Sequence, residues 1–242
     1  MILQLSHVQT FIGQFHILQD ISLDVPAGEV TVILGRNGAG KTTTLRTIMG
    51  LTPPSQGKII FMGERLNGRP PYEIARKGIG FVPEDQGVFS ELTVDENLRL
   101  AMRKNDAATK ARLQFVLDIF PDLGQKLRQK SGSLSGGQKQ MLAIGRAFVN
   151  DNRLLLVDEP SKGLAPIMVE KLAQAIREIK KHTTVVLVEQ NFALASAVGE
   201  RYVIIDDGHT VQDGLMAQLQ QDKELQRRYL GITTKSENGR AV

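Results

Sequence analysis

The stretch Gly35-Arg36-Asn37-Gly38-Ala39-Gly40-Lys41-Thr42 decides how the rest of this 242-residue sequence is interpreted. It follows an apolar, β-branched run, Val30–Leu34, that is typical of a buried parallel strand. A helix is predicted from Lys41 to about Leu51, where a glycine and two prolines end it. A strand, a glycine-rich loop and a helix in this order predict a phosphate-binding loop in an α/β protein.

The chemistry of this loop follows from its residue types. Its glycines let backbone N–H groups converge on phosphate oxygens, and the helix behind it adds the positive end of its dipole. Lys41 is predicted to bind the β- and γ-phosphates, and the Thr42 hydroxyl to bind Mg²⁺. The candidate contacts to a nucleoside triphosphate are therefore Gly35, Arg36, Asn37, Gly38, Ala39, Gly40, Lys41, Thr42 and Thr43.

Two acidic residues, Asp158 and Glu159, follow a second apolar strand, Leu154–Val157. Ligands of an open α/β sheet bind beyond the carboxyl ends of its strands, so both side chains should face the bound phosphates. Asp158 suits Mg²⁺, through water, and Glu159 suits the orientation or deprotonation of an attacking water. Alone, such a pair is equally typical of a helix N-terminus; beside a phosphate loop, the catalytic interpretation is favoured.

A third motif, Leu134-Ser135-Gly136-Gly137-Gln138, is predicted to begin a helix. Ser135 is the expected N-cap, and Gln138, three residues later, completes a capping box. The two glycines leave the first turn free of side chains, so that its N–H groups can approach an anion. Alternatively, the motif begins an ordinary capped helix that binds no anion. Because the Lys41 loop already cradles its own phosphates, a second phosphate site here implies a second molecule.

Outside these motifs, two patterns alternate along the chain. Short apolar stretches typical of strands occupy the first thirty residues and return after residue 150, where a helix is predicted to begin at Pro166. From about Glu91 to Asn150 the spacing becomes helical, with Thr93 as one N-cap and Pro121 closing another helix. The sequence therefore predicts a helical subdomain inserted in an α/β core.

Composition excludes several classes of protein. Hydrophobic residues make up 41% and charged residues 23%, as in ordinary globular domains, and no apolar run approaches the roughly 18 residues of a membrane span. The N-terminus lacks the pattern of a signal peptide, so we expect a cytoplasmic location. Cysteine is absent, which excludes disulfides and thiolate metal sites. The net charge of +4, without blocks of like charge, argues against nucleic acid as a partner.

With the pentapeptide lying between the glycine loop and the acidic strand end, the chain resembles the ATP-binding-cassette (ABC) family from about Leu3 to Ile232. Three further segments resemble the LivF-type ATPases of branched-chain amino-acid importers: Val82-Pro83-Glu84, Gly163-Leu164-Ala165-Pro166 and Val188-Glu189-Gln190-Asn191. Urea importers are a near neighbour, although they more often keep Val-Pro-Gln. Import instead of export rests on this resemblance alone.

The resemblance implies a P-loop NTPase cassette with a mixed and parallel core sheet, an N-terminal antiparallel β layer and an inserted helical subdomain. It implies one ABC ATPase domain over residues 1–232, with the helical subdomain at about 88–150 and a polar tail at 233–242. ATP and Mg²⁺ are the implied cofactors, and hydrolysis would drive transport of a small solute. In the family, Ser135, Gly136, Gly137 and Gln138 would cap the ATP bound by a second cassette chain, either identical or different.

Further partners are implied by the same resemblance. They are integral membrane permease subunits and, indirectly, a solute-binding protein, with this chain peripheral on the inner face of the plasma membrane. In cassette importers, the region of Val88, Phe89 and Leu92 receives a short permease helix; alternatively, these residues cover the core of their own subdomain.

Some positions depart from the usual family pattern. Glu84 stands where glutamine is common, and could bind Mg²⁺ or water. Gln190 replaces a histidine that would contact the γ-phosphate, and its amide can still donate. Ala165 replaces an aspartate that makes contacts across the dimer. The adenine-stacking position holds Ile12, so either Phe11 or Phe15 is expected to stack on adenine, or Ile12 to pack against the base. Alternatively, both phenylalanines are core residues of the antiparallel layer.

Two other functions stay open at this stage. A cassette ATPase acting on nucleic acid or the ribosome usually carries long coiled-coil inserts or two cassettes, and neither is present in this sequence. A regulatory subunit with weak catalysis is suggested by Gln190 and Ala165, whereas Lys41, Asp158 and Glu159 argue for an active ATPase.

Overall fold

A computed structural model describes residues 1–231, so the predicted polar tail, 233–242, lies outside the described residues. The strands are β1 (Leu3–Ile12), β2 (Phe15–Val25), β3 (Val30–Leu34), β4 (Gln56–Phe61), β5 (Glu64–Arg65), β6 (Ile79–Val82), β7 (Leu154–Asp158), β8 (Thr184–Val188), β9 (Arg201–Asp206) and β10 (His209–Leu215). They lie side by side in the order β5-β4-β1-β2-β10-β9-β3-β8-β7-β6.

The two halves of this sheet differ in strand direction. On one side, β3 pairs in parallel with β8 and β9, and β7 pairs in parallel with β6 and β8. On the other, β1 pairs antiparallel with β2 and β4. One parallel pairing of His209 with Asp20 joins the halves. The predicted mixed core sheet with an N-terminal antiparallel layer is confirmed.

The helices are α1 (Lys41–Ile48), α2 (Pro71–Arg76), α3 (Val94–Ala101), α4 (Ala107–Ile119), α5 (Pro121–Gly124), α6 (Gly136–Phe148), α7 (Pro166–Ile179), α8 (Phe192–Val198), α9 (Met216–Gln221) and α10 (Lys223–Leu225), followed by a π-helical turn, Gln226–Leu230. Helices α3 to α6 fall within the stretch predicted as an inserted subdomain. None of the helices in residues 1–231 combines the length and the apolar character needed to cross a bilayer.

Burial on both faces explains the mostly apolar sequences of the central strands. In β3, Val30, Val32 and Leu34 pack into the core shared with α6, α7 and α8, while Ile33 packs into the core shared with α1 and the antiparallel strands. Successive side chains of a strand point to opposite faces, so a strand covered on both sides is apolar at nearly every position; Thr31 is the buried polar exception in β3. This packing fixes the carboxyl ends of the central strands, where the polar motifs lie.

Most predicted elements are confirmed, and the departures have physical reasons. The first helix ends at Ile48 because the chain turns at Gly50, whose φ is +70°. Pro121 does not simply close a helix: α4 stops at Ile119 and Pro121 opens the short α5, as proline can in a first turn. The sequence predicted no strand at His209–Leu215, because β10 is polar and largely exposed and lacks an apolar run.

Candidate nucleotide and catalytic site

The glycine-rich loop connects the end of β3 to the start of α1. Gly35 has a φ of +147° and Gly40 has a φ of +107°, both in the region that favours glycine. A Cβ on Gly35 would lie 2.1 Å from the carbonyl oxygen of Ile205 in β9. The loop therefore packs too closely against the neighbouring strand to accept any other residue at Gly35.

Lys41 lies at the centre of the loop, with 4% of its surface exposed. Its Nζ donates to the carbonyl oxygens of Gly35, at 3.1 Å, and Arg36, at 3.0 Å. The same Nζ lies 3.5 Å from Oε1 of Glu159, which is also buried. The structure thus brings the predicted phosphate-binding cation and the predicted catalytic carboxylate together as a buried ion pair.

Asp158 and Thr42 form the second contact between the loop and the acidic strand end. Thr42 Oγ1 donates to Asp158 Oδ1 at 3.0 Å, whereas the buried Oδ2 has no hydrogen-bond partner among the described residues. Burial raises the pKa of Asp158 to about 6; the Thr42 hydrogen bond opposes this rise, and the charges of Glu159 and Glu84 add to it. A buried carboxylate with a free oxygen beside a hydroxyl suits a hard cation such as Mg²⁺.

No cluster of three or more histidine and acidic side chains that could hold a metal occurs within residues 1–231. The protein therefore presents a cation with an incomplete set of oxygen ligands. This fits Mg²⁺, which usually keeps several waters and binds one or two protein groups together with substrate phosphates.

Glu159 is fixed from three sides. Its φ of +43° is unusual for a residue with a side chain, and its backbone N–H donates to Val188 at the end of β8, at 2.9 Å. Gln190 Nε2 donates to Glu159 Oε1 at 2.6 Å, and Lys41 approaches the same oxygen. The three residues predicted as catalytic, Lys41, Glu159 and Gln190, are therefore in mutual contact through one carboxylate oxygen.

Glu84, the other predicted metal ligand, has a different partner. Its carboxylate forms a short ion pair with the exposed Lys162, and this contact raises the pKa of Lys162. Glu84 also borders an open cavity of about 320 Å³, lined in part by Thr42, Arg46, Phe81 and Asp158. It thus lies near the pair that fits Mg²⁺ without contacting it, and its role as a metal ligand stays a prediction.

The predicted helix start at Ser135 is confirmed. Ser135 Oγ accepts from the Gln138 backbone N–H at 3.3 Å, and Gln138 Oε1 accepts from the Ser135 N–H at 3.2 Å. Ser135 and Gly136 are exposed, whereas Gly137 is buried, and a Cβ there would lie 2.5 Å from Cε of Met168 in α7. The second glycine therefore has a packing reason in addition to the one that the sequence predicted.

The structure does not bring this helix start to the loop of its own chain. Within residues 1–231, no hydrogen bond or ion pair joins Ser135–Gln138 to Gly35–Thr42. The polar neighbours of the helix start lie elsewhere: Lys126 Nζ donates to Gln138 Oε1 at 3.1 Å, and Gln86 Nε2 donates to the Gly136 carbonyl at 3.4 Å.

The aromatic residues near the start of the chain lie on the surface. Phe11 is 45% exposed and stacks on His16, with ring centroids 4.1 Å apart; Phe15 is 64% exposed. Ile12, at the turn between β1 and β2, is 46% exposed. The alternative that Phe11 and Phe15 are core residues of the antiparallel layer is wrong, because exposed rings are not part of a core. Contact of Phe11 or Phe15 with adenine stays a prediction, as does the alternative that Ile12 packs against the base.

The loop before α3 was predicted either to receive a permease helix or to cover the core of its own subdomain, and its residues differ in burial. Val88 packs against the core, and Leu92 is half buried, so these residues cover their own subdomain. Phe89 is exposed, and the guanidinium of Arg146, in the last turn of α6, lies 4.8 Å from its ring centroid. Arg146 also donates to the Gly87 carbonyl. Phe89 therefore remains available to a partner, held in place by α6.

The sequence predicted no role for Lys126, for Arg146 or for Glu189, a buried carboxylate that directly follows β8. Lys126 and Arg146 reach their partners through folding of distant segments, and nothing local indicates this. Glu189 had a visible signal, because an acidic residue that directly follows the apolar strand β8 should lie at the same sheet edge as Asp158.

Comparison with known proteins agrees with this geometry. The family model described as "ABC transporter" matches residues 18–162. Over 231 residues, the chain is 39% identical to the high-affinity branched-chain amino acid transport ATP-binding protein BraG of Pseudomonas aeruginosa, which covers 95% of this chain and 99% of the relative. It is 32% identical to the probable branched-chain amino acid transport ATP-binding protein LivF of Archaeoglobus fulgidus, in an alignment that covers 90% of this chain and 94% of the relative. It is also 33% identical to the lipopolysaccharide export system ATP-binding protein LptB of Escherichia coli, in an alignment that covers 89% of this chain and 91% of the relative.

Solved structures show the same fold. An ATP-binding subunit of an ABC transporter superposes with a TM-score of 0.81 at 29% identity, covering 96% of this chain and 97% of the other. A dimeric ATP-binding cassette in a post-hydrolysis state, bound to ADP and Pi, superposes with a TM-score of 0.78 at 26% identity, covering 88% and 98%. The chain belongs to the ABC transporter family, as an ATP-binding cassette that binds and hydrolyses ATP.

Proposed function

We propose that this chain is the ATPase subunit of an importer for branched-chain amino acids. The observation that carries the solute class is the 39% identity to BraG over nearly the whole of both chains. The LivF-like segments around Glu84, Ala165 and Gln190 support the same class. The partners are a second cassette chain and membrane-embedded permease subunits, with the chain attached to the inner face of the plasma membrane and served by a solute-binding protein.

For the chemistry, the contacts around Glu159 support a division of roles. Residues Gly35–Thr43 hold the phosphates, with Lys41 exchanging its loop carbonyls for phosphate oxygens. Thr42 and Asp158 hold Mg²⁺, which when bound would neutralise charge on the β- and γ-phosphates. Glu84 reaches the same cation through water.

Glu159 takes a proton from the attacking water or orients it, and Gln190 holds the Glu159 carboxylate in place. The ion pair with Lys41 and the hydrogen bond from Gln190 hold the same carboxylate oxygen of Glu159 at the phosphate loop. On the adenine side, the exposed rings of Phe11 and Phe15 are the candidates for stacking on the base.

The helix start at Ser135 serves a second nucleotide site. The capping box uses the N–H groups of Ser135 and Gln138, while Ser135 and Gly136 are exposed. Among the described residues, no hydrogen bond links this helix start to the loop of the same chain. The N-terminal end of a helix attracts anions. We infer that it faces the γ-phosphate of ATP bound by a partner cassette, so that two chains form the working unit.

The catalytic part is tested with Glu159→Gln. This change keeps the size of the side chain and its contact with Gln190 but removes the proton acceptor. MgATP binding, measured by calorimetry, should be retained, while turnover should fall by about 100-fold or more, since general-base catalysis contributes roughly 10²–10⁴. Glu178→Gln, on the exposed surface of α7, is the control and should leave both unchanged. Turnover like that of the wild type in Glu159→Gln would contradict the role of Glu159.

The solute is tested by transport. Deletion of the gene should abolish ATP-driven uptake of labelled leucine, isoleucine and valine, and the wild-type gene should restore it, whereas a Glu159→Gln gene should not. Uptake of urea is the matched control. Normal leucine uptake in the deletion strain, with loss of urea uptake, would assign the chain to the other importer class. Loss of lipopolysaccharide export would assign it to the class of LptB.

A further inference from the structure

Glu189 is a buried carboxylate that the proposed mechanism does not yet use. It follows β8 directly, and 1% of its surface is exposed. Its oxygens accept four hydrogen bonds: from the Ser161 N–H at 3.0 Å, the Ser161 hydroxyl at 2.8 Å, the Gln190 N–H at 3.2 Å and the Asn191 N–H at 3.1 Å. One side chain thus joins the loop after β7 to the loop after β8.

Burying a carboxylate is costly unless donors replace its water shell. No lysine or arginine forms an ion pair with Glu189 within residues 1–231, so its contacts are the hydroxyl and backbone N–H donors of the two loops. Burial raises the pKa of Glu189, and the hydrogen bonds from Ser161, Asn191 and Gln190 oppose that rise. The Glu189 carboxylate therefore fixes the two loops relative to each other. If one loop moved away, its hydrogen bonds to Glu189 would break and buried polar groups would be left unpaired.

The positions of the two loops place this link beside the catalytic carboxylate. Ser161 lies two residues after Glu159, and Gln190 directly follows Glu189. The Gln190 side chain donates to Glu159 at 2.6 Å. Beyond Ser161, most of the loop through Pro166 is exposed, including Lys162, Gly163 and Ala165. A contact made by that exposed loop would therefore reach Glu159 through Ser161, Glu189 and Gln190.

We propose that Glu189 is a positioning residue that couples the loop Ser161–Ala165, which is mostly exposed beyond Ser161, to Gln190 and so sets the Gln190 amide against Glu159. This inference rests on the proposed roles of Glu159 and Gln190. Glu189 touches neither nucleotide nor water in this scheme; it acts through Gln190. The movement of one loop is thereby transmitted to the other without any change in the phosphate-binding loop.

The test is Glu189→Gln, measured as the kcat and KM of ATP hydrolysis, the affinity for MgATP and thermal unfolding. The amide keeps the volume but directs an N–H₂ group at groups that are themselves donors. We expect kcat to fall roughly tenfold, as expected for the loss of hydrogen bonds to a charged group, with KM and ATP affinity within about twofold of the wild type. Ser161→Ala, which removes one donor, should lower kcat less, and the double variant should be no slower than Glu189→Gln alone.

Glu200→Gln is the matched control. Glu200 also accepts a backbone N–H, that of Val30 at 2.6 Å, but at the end of β3 away from the phosphate loop. The Glu200→Gln substitution should lower thermal stability without lowering kcat. An unchanged kcat in Glu189→Gln would overturn the proposal. The proposal would also be overturned if the effects of Glu189→Gln and Ser161→Ala on kcat multiply in the double variant, or if Glu189→Gln lowers ATP affinity as much as kcat.

If Glu189→Gln does not fold, Ser161→Ala, Gln190→Ala and their double variant are measured instead. If Glu189 joins the two residues, the effect of the double variant on kcat should differ from the product of the single effects; independent effects overturn the coupling.

Glu159→Gln, measured in the same assay, distinguishes failure of the proposed catalytic role from failure of the positioning role. If Glu159→Gln retains turnover, the proposed catalytic role fails; if it loses turnover while Glu189→Gln does not, only the positioning role fails.

Discussion

The phosphate loop and the helix start at Ser135 are both proposed to bind phosphate, but their surroundings within the chain differ. At the loop, Lys41 and Glu159 are buried and paired with each other, and Thr42 is bound to Asp158. At the helix start, Ser135 and Gly136 are exposed, and their polar partners are those of a helix cap and its neighbours. The polar residues of the phosphate loop contact other polar groups of the predicted site, whereas in the described part of the chain no hydrogen bond joins the helix start to that loop.

This difference separates two kinds of sensitivity to mutation. Substitutions at the loop should damage folding and nucleotide binding together, because the loop is packed into the core. Substitutions at the helix start should leave a folded chain that binds ATP but associates poorly.

Gly35→Ala should give the largest loss. Its Cβ would lie 2.1 Å from the Ile205 carbonyl oxygen, at a φ that disfavours side chains. We expect the free energy of unfolding to fall by about 3 kcal/mol or more, in the range of strained and overpacked sites, and ATP binding to be lost. Denaturant unfolding and calorimetry measure both quantities.

Gly38→Ala is the matched control for this change. Its φ is also positive, but a Cβ would meet no atom within 4 Å. Only the backbone cost should appear, about 1–2 kcal/mol for a residue forced into the left-handed region. Equal losses in the two variants would show that close packing against β9 does not determine the loop.

Thr42→Val removes the hydroxyl that contacts Asp158 while keeping the shape of the side chain. If Thr42 and Asp158 hold Mg²⁺, ATP should bind more tightly with Mg²⁺ than without it in the wild type, and this difference should shrink roughly tenfold or more in the variant. Titration of ATP with and without Mg²⁺ measures it. Thr43→Val, at the next position, should keep the dependence on Mg²⁺; if both variants keep it, the cation is bound elsewhere.

Gly137→Ala and Gly136→Ala compare two neighbouring positions at the helix start. A Cβ on Gly137 would displace the flexible end of Met168, and we expect a loss of about 1 kcal/mol in unfolding free energy, the low end of the range for overpacking. A Cβ on Gly136 would meet open space, so stability should stay the same or rise slightly, while ATP-dependent dimerisation weakens. Light scattering with and without ATP measures the association. Undisturbed dimerisation in Gly136→Ala would argue that this helix start does not face a partner's nucleotide.

We expect small effects on stability from Ser135→Ala and Thr93→Ala, two substitutions at the same capping position of different helices. Both residues complete capping boxes, at the starts of α6 and α3, and loss of either cap should cost about 1 kcal/mol of stability. Only Ser135→Ala should also weaken ATP-dependent dimerisation. If Thr93→Ala weakens it equally, the effect comes from general loosening of the helical subdomain.

The same contrast explains what the sequence could predict. The caps at Thr93 and Ser135 join residues three apart, and the strand–loop–helix around Lys41 is a local pattern, so both are visible in the sequence. The sheet-edge rule also placed Asp158 and Glu159 correctly beside the loop.

Contacts between distant segments could not be predicted in this way. Glu84 pairs with Lys162, 78 positions away, and Ser161 with Glu189, 28 positions away. Which acidic side chain finds a lysine and which finds a hydroxyl depends on how the loops pack. The exposure of Phe11 and Phe15 depends on the same packing, because a β-hairpin with apolar residues on both faces does not reveal which face is covered.

Helix α6 makes the exposed cap and the Phe89 loop parts of one rigid body. It begins beside Ser135 and ends next to Arg146, which holds Gly87 and Phe89. At 1.5 Å per residue, its 13 residues form a rod about 20 Å long. If one end is clamped and the rod tilts by about 10°, its other end moves by roughly 3 Å, given that length. A tilt of α6 that began at its exposed first turn would therefore shift Phe89 by a distance comparable to the size of a side chain.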